Sequence, residues 1–169
     1  MERAYSLEPR FQLLLEEFRH VMQQQDTTLI EIYLLFLQVA GEGFQDRQEF
    51  LSRFTLSEGK LVVLGLLKAS GELTPSELAL ASGVTPGTIT GLLAGLEHSG
   101  LIRREEHLSD GRKAAISLTP NALTLYEEVL AQRFHHIEGL LSSFTLEEQQ
   151  QLRTLLGKLH DQLIDHASS

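Results

Sequence analysis

The chain has 169 residues, 42% of them hydrophobic, with 23 acidic against 14 basic side chains and a formal net charge of −9. That length and apolar share suit one globular domain with a sizeable core. The absence of cysteine excludes disulfides, thiolate zinc sites and cysteine nucleophiles together. Near the N-terminus, Glu8-Pro9 can open a helix to about Gln25, with Phe11, Leu14, Leu15, Phe18, Val21 and Met22 on one face. Asp26 offers a cap for a second helix from Thr27. Its stretch from Leu29 to Ala40 is apolar nearly all round, which calls for burial on more than one side and suggests a subunit interface. The same stretch is too short to span a bilayer and contains Glu31 and Gln38. With no basic, apolar leader at the start, the expectation is a cytoplasmic protein without a membrane partner. Gly41-Glu42-Gly43 is expected to break or bend the second helix before Phe44 to Phe54, where Phe50, Leu51 and Phe54 mark one face. Ser57 can cap the next helix, Glu58 to Ala69, whose run from Leu61 to Leu67 would form the floor under the next two helices.

The stretch from Leu73 to Thr119 organises the rest. Thr74-Pro75 and Thr85-Pro86 each place a capping oxygen before a proline at the first helical position, where a missing N–H costs nothing. Glu77, three residues after Thr74, completes a capping box. Ser82-Gly83-Val84 supplies the glycine that the turn of a helix-turn-helix requires. In the second helix Ile89, Leu92, Leu93 and Leu96 define the buried face. Gly87, Thr88, Thr90, Gly91, Ala94 and Gly95 are left facing outward. Leu101 to Glu106 and Ala114 to Leu118 are strand candidates around the turn dipeptide Asp110-Gly111. Arg112 and Lys113 then fall at the hairpin tip and Arg103 and Arg104 at its base. Thr119-Pro120 repeats the start signal for a helix to about Ser142, with Leu123, Tyr126, Leu130, Phe134, Ile137 and Leu141 near one face. Thr145 and Glu148 form a second capping box for a last helix carrying Leu152, Leu155, Leu156, Leu159 and Leu163.

A helix-turn-helix followed by a basic-tipped hairpin has a common use: the second helix enters the major groove and the tip lies near phosphates or the minor groove. The residues also carry a family likeness. Leu73 to Ala79, Thr85-Pro86-Gly87-Thr88-Ile89-Thr90, Leu96-Glu97, Gly100-Leu101-Ile102, Arg104, Asp110-x-Arg112 and Leu118-Thr119 together resemble the MarR family of winged-helix transcription regulators. The resemblance implies a homodimer, double-stranded DNA as partner through a pseudo-palindromic operator, and release by a small-molecule effector. It implies DNA contact by Ser76, Thr85, Gly87, Thr88, Thr90, Gly91, Arg103, Arg104, Arg112 and Lys113, with Asp110 orienting the Arg112 guanidinium. It also implies an effector cleft between the dimer body and the winged segment, for which Tyr33, Phe36, Phe44, Phe50 and Phe54 would suit an aromatic or apolar ligand.

The expected fold is mainly α with a small β-hairpin wing. Residues 1–56 would form the N-terminal dimerisation and cleft part, 57–119 the winged helix-turn-helix and 120–169 the C-terminal dimerisation helices, all in one structural domain. Net charge over these stretches is −4, −1 and −4, so the acidity collects in the flanks and the DNA-binding head is close to neutral. The seven histidines lack metal-ligand spacing, since adjacent His135 and His136 point about 100° apart on a helix. No nucleophile elbow or dinucleotide loop occurs, so neither catalysis nor a cofactor or metal is expected. The second helix departs from the family in having no Lys or Arg. Gly87, Gly91 and Gly95 instead recur every four residues along one stripe. The alternative reading is therefore a protein-interaction module whose glycine stripe docks a protein partner in place of DNA.

Overall fold

The computed structural model describes residues 6–22, 26–106 and 114–167. The elements run α1 (Pro9–Val21), α2 (Thr28–Ser52), α3 (Glu58–Ser70), α4 (Pro75–Ser82), α5 (Pro86–His98), β1 (Ile102–Glu106), β2 (Ala114–Leu118), α6 (Pro120–Leu141) and α7 (Leu146–Ala167). This is the mainly helical fold with a hairpin wing that the sequence pattern implies. Helix starts are encoded locally. The side chains of Ser57, Thr74, Thr85 and Thr119 accept from the backbone N–H of Lys60, Glu77, Thr88 and Ala122. Thr145 accepts in the same way from Glu148. Each such cap stabilises its helix by about 1 kcal/mol. The capping boxes close as well: the Thr74 and Thr145 N–H groups each donate to the carboxylate three residues on, at 2.7 Å.

The ends of α2, α4 and α5 share one device. Gly83 sits at φ 67°, and the next N–H, from Val84, reaches back to the Ala79 carbonyl at 3.2 Å. The α2–α3 corner uses the same closure with Thr55 at φ 57°, while the Leu56 N–H bonds the Leu51 carbonyl at 3.1 Å. A β-branched residue there costs roughly 1–2 kcal/mol. Burial of both Leu51 and Leu56 holds the corner in place.

The head is built on α3. Val63, Leu64 and Leu67 are fully enclosed, together with Leu78 from α4, Ile89, Leu93 and Leu96 from α5, Ile116 from β2, and Ala122 and Val129 from α6. Two close approaches make this possible. A Cβ on Gly59 would lie 3.0 Å from a Leu92 methyl, and one on Gly65 would lie 3.0 Å from the Tyr126 hydroxyl. The hairpin is antiparallel, with Arg103 opposite Ser117 and Arg104 opposite Ile116. Leu73 and Ile116 exchange backbone hydrogen bonds at 3.2 and 2.9 Å, which fastens β2 to the segment before α4.

Several sequence expectations need correction. α2 runs unbroken through Gly41-Glu42-Gly43. Each interior glycine costs about 1 kcal/mol relative to alanine. That cost is outweighed because the helix is anchored at both ends, by Leu34 against Leu7 and Leu15 and by Phe50 and Leu51 in the head core. α1 stops at Val21, short of Gln25. Leu101 does not begin β1, because its N–H closes the end of α5 on the Leu96 carbonyl at 3.0 Å. On α6 the side buried in the head is Ala122 and Val129, and the apolar face of Leu123, Leu130, Phe134 and Ile137 is left open within the single chain, as surplus surface for a dimer body would be. The head core also reaches beyond residues 57–119, since it draws on α2 and α6.

Outside the head, much apolar surface lies open within the single chain. α7 buries none of its residues, and Leu155 and Leu163 are exposed. On α2, the nearly all-apolar stretch leaves Leu29 79% and Ile32 58% exposed. One polar cluster ties α2 to α6. Asp46 accepts from Arg133 at 2.9 Å and pairs with His136 Nε2 at 2.6 Å, beside Phe50, whose ring centroid is 5.2 Å from the Arg133 guanidinium. Burial alone would raise the Asp46 carboxyl; the hydrogen bonds and charges of Arg133 and His136 outweigh it, and the net displacement is downward.

A lowered folded value means that the ionised carboxylate is favoured by folding. Its contribution is complete above the ordinary carboxylate range and is lost as pH falls through the folded value. In urea denaturation, Asp46→Asn should lower stability at neutral pH and shrink the loss between about pH 5 and the acid limit. Parent and variant that lose stability in parallel would show that the cluster contributes nothing to the α2–α6 connection.

Candidate nucleic-acid interface

α4 and α5 meet at 112°, inside the range of about 90–120° for a helix-turn-helix. With Ile89, Leu93 and Leu96 sealed into the core, α5 presents Gly87, Thr88, Thr90, Gly91 and Ala94 to the outside. Ser76 is exposed in the first turn of α4. The threonine hydroxyls already have partners in the chain. Thr85 Oγ1 accepts from the Thr88 N–H at 3.2 Å and lies 2.9 Å from Thr88 Oγ1. Thr90 donates to the Pro86 carbonyl at 2.8 Å. A base edge would have to compete for these hydroxyls, whereas the methyl groups can meet a thymine methyl without losing a bond.

The three glycines of the stripe have different surroundings. A Cβ at Gly91 would meet nothing within 4 Å, and one at Gly87 only Thr85 Oγ1 at 3.9 Å. At Gly95 it would come within 3.1 Å of Lys60 Cε and 3.3 Å of Lys60 Nζ. Gly95 is thus a seat for a side chain from α3, and only the first two glycines are open. Lys60 is the residue that sequence reasoning missed here, because no local pattern joins positions so far apart in the chain.

Arg103 and Arg104 stand on β1, where Arg103 Nε donates to Ser117 Oγ at 2.9 Å and Arg104 Nε to Glu97 Oε2 at 2.8 Å. The Glu97 link connects the wing to the C-terminal end of α5. Asp110, Arg112 and Lys113 lie outside the described residues. A cleft of 450 Å³ opens between the end of α2 and the start of α3, lined by Phe44, Gln48, Leu56 and Glu58 among others. Arg47 lies over the Phe44 ring at 5.3 Å and pairs with Glu58 at 2.7 Å. Of the five aromatic residues expected at a cleft, Phe44 lines this one. Phe50 is in the core and meets the Phe54 ring at a tilt, with centroids 5.4 Å apart. Tyr33 and Phe36 are roughly two to three turns earlier on α2.

Comparison with known proteins agrees with this arrangement. Residues 56–114 match the MarR family. The chain is 31% identical over 157 residues to the HTH-type transcriptional repressor YetL of Bacillus subtilis, an overlap of 88% of this chain and 94% of YetL. Among solved structures, YusO from Bacillus subtilis has a TM-score of 0.69 and 31% identity over 82% of this chain and 99% of its own. The S. aureus MepR–DNA complex has a TM-score of 0.55 and 30% identity, over 78% of this chain and 95% of MepR.

The open space at Gly91 admits a long side chain on the outer face of α5. Gly91→Arg should therefore tighten binding to mixed-sequence duplex DNA by about tenfold and steepen its salt dependence by about one charge per head. Fluorescence anisotropy over a salt series measures both. Affinity that stays at the parent value would mean that this face does not enter the groove.

Proposed function

This chain belongs to the MarR family of transcription regulators, and from that premise we propose a homodimeric repressor that holds a pseudo-palindromic operator until a small-molecule effector releases it. The observation that carries the reading is the outer face of α5, which is open along Gly87, Thr88 and Gly91 and set at 112° to α4. The relative solved as a MepR–DNA complex supports DNA as the partner. Ser76, Thr85, Gly87, Thr88, Thr90 and Gly91 are assigned to the groove. Arg103, Arg104, Arg112 and Lys113 are assigned to the backbone and minor groove, with Asp110 orienting Arg112. Without an arginine on α5 there is no bidentate guanine contact, so base selectivity is low and affinity rests on the wing and on DNA shape.

The dimer reading is supported by the apolar surface left open on α2, α6 and α7, where Ile32, Phe134, Ile137 and Leu155 are exposed. A second copy supplies the matching surface under a two-fold axis. The effector reading is supported by the cleft between α2 and α3, whose lining by Phe44, Leu51 and Leu56 offers an apolar wall. The relatives are regulators, and no catalysis, cofactor or metal is assigned. No single helix among the described residues is long and apolar enough to cross a membrane, and we place the protein in the cytoplasm with the DNA that it binds. No comparison favours the protein-docking alternative.

Two heads on one two-fold axis read half-sites about one DNA turn apart. Genomic binding-site selection should return an inverted repeat with half-site centres separated by about 10 base pairs. Recovery of no DNA above background would return weight to the protein-docking alternative. For the wing, Arg112→Ala should weaken binding to all sequences alike, by about tenfold, and flatten the salt slope by about one charge per half-site. Unchanged affinity and slope would make the wing a bystander.

A further inference from the structure

We propose that Lys60, on α3, is a DNA-backbone contact that supplies beside α5 the cation which α5 itself lacks. The proposal rests on the DNA reading above and adds to it a residue on a helix outside the turn and the wing.

The other described cations of the head each have a side-chain partner, the two β1 arginines assigned to DNA above among them, and Lys60 differs in bonding a backbone carbonyl instead. Lys68 is paired with Glu127 at 2.6 Å and Arg104 with Glu97 at 2.8 Å. Arg103 is bonded to Ser117. Lys60 has no carboxylate partner among the described residues, and its ammonium donates to one backbone carbonyl, that of Thr55, at 3.3 Å. An ammonium carries three donors, so two remain. A phosphate oxygen would form the stronger, charge-assisted bond without displacing Thr55.

Position decides what the charge can reach. The Lys60 stem crosses Gly95, and its Nζ lies 3.3 Å from the point where a side chain at Gly95 would begin. Any larger residue there would push the ammonium aside. Gly91, one step of four residues toward the N-terminus of α5, is about 6 Å away along the helix axis and open. Gly95 also lies about 80° round the helix from Gly87 and is half-buried where Gly87 and Gly91 are exposed, so the ammonium stands at the flank of the face presented outward, not at its centre. A helix lying in a major groove about 12 Å wide has base edges at its tip and phosphates along its flanks. A cation on the flank meets the backbone, and such a contact fixes position without reading sequence. The helix dipole disfavours a cation in the first turn of α3, and the corner at Thr55 offsets this by supplying an acceptor.

The test uses the full chain and a mixed-sequence duplex of about 30 base pairs, roughly three turns. Binding is followed by anisotropy across a salt series, with thermal melts alongside. Lys60→Met keeps the stem over Gly95 and removes the charge. It should bind about tenfold more weakly at low salt, with a slope shallower by about one charge per head and an unchanged melting temperature. Lys60→Arg should restore affinity and slope, and Lys60→Gln, run as a second neutral variant should the first fold poorly, should match the Met variant in slope. Neutral variants with parental affinity and slope would overturn the proposal and leave Lys60 a packing strut. A parent chain that binds no duplex at any salt would overturn the DNA reading itself, and this assignment with it.

Discussion

The head depends on how closely other elements approach α3. Val63, Leu64 and Leu67 are enclosed on all sides, and burying each such side chain stabilises the fold by about 1.5–3 kcal/mol. Enclosure on that scale needs α5 and α6 to come within side-chain reach of the α3 backbone, which Gly59 and Gly65 allow by presenting no Cβ to Leu92 and Tyr126. The direction of α5, and hence the face that it turns outward, follows from this packing. A helix with three interior glycines is weak in isolation, at about 1 kcal/mol each. Its order here comes from Ile89, Leu93 and Leu96 seated in the α3 core, and from a Thr85 cap at one end and the Glu97–Arg104 link to the wing at the other.

The remainder of the chain obeys a different rule. In the head nearly every large apolar side chain finds a partner, whereas α7 buries none and the outer side of α6 leaves Phe134 and Ile137 open. α6 is thus two-faced. One side, through Ala122 and Val129, belongs to the head, and the other belongs to the body. α2 is divided along its length, with Leu34 in a small core against α1 and with Phe50 and Leu51 in the head. A chain that joins a complete head to an incomplete body is suited to a protein whose second copy finishes the body and thereby sets the spacing of two heads. The Asp46–Arg133–His136 cluster lies where α2 and α6 meet, between these two regimes.

Much of this fold is legible from local chemistry. The Thr-Pro pairs at 74, 85 and 119 announce three helix starts, because a cap and a first-turn proline act within one turn of the chain. Gly83 announces the turn for the same reason. Distant contacts settle the features that local chemistry does not show. Gly41 and Gly43 read as a break because their helix penalty is visible in sequence, while the anchors that override it lie at the two ends of a 25-residue helix. The outward stripe on α5 reads as uniform because nothing local places Lys60 over Gly95. The apolar face on α6 reads as one pattern because Ala122 and Val129 turn into the head while Leu130, Phe134 and Ile137 lie open, and periodicity reports the sum of the two faces. Arg104 reads only as a cation at the hairpin base, and its pairing with Glu97 depends on how the hairpin folds back on α5.

On this reading, two copies complete one body and present two such heads to a single duplex. Sedimentation velocity of the protein with a duplex long enough for one operator tests this most directly, because it gives the number of chains in the complex. Two chains per duplex, bound together and dissociating together as salt rises, is the predicted result. A complex of one chain per duplex, formed at full affinity by a protein that sediments alone as a monomer, would contradict it.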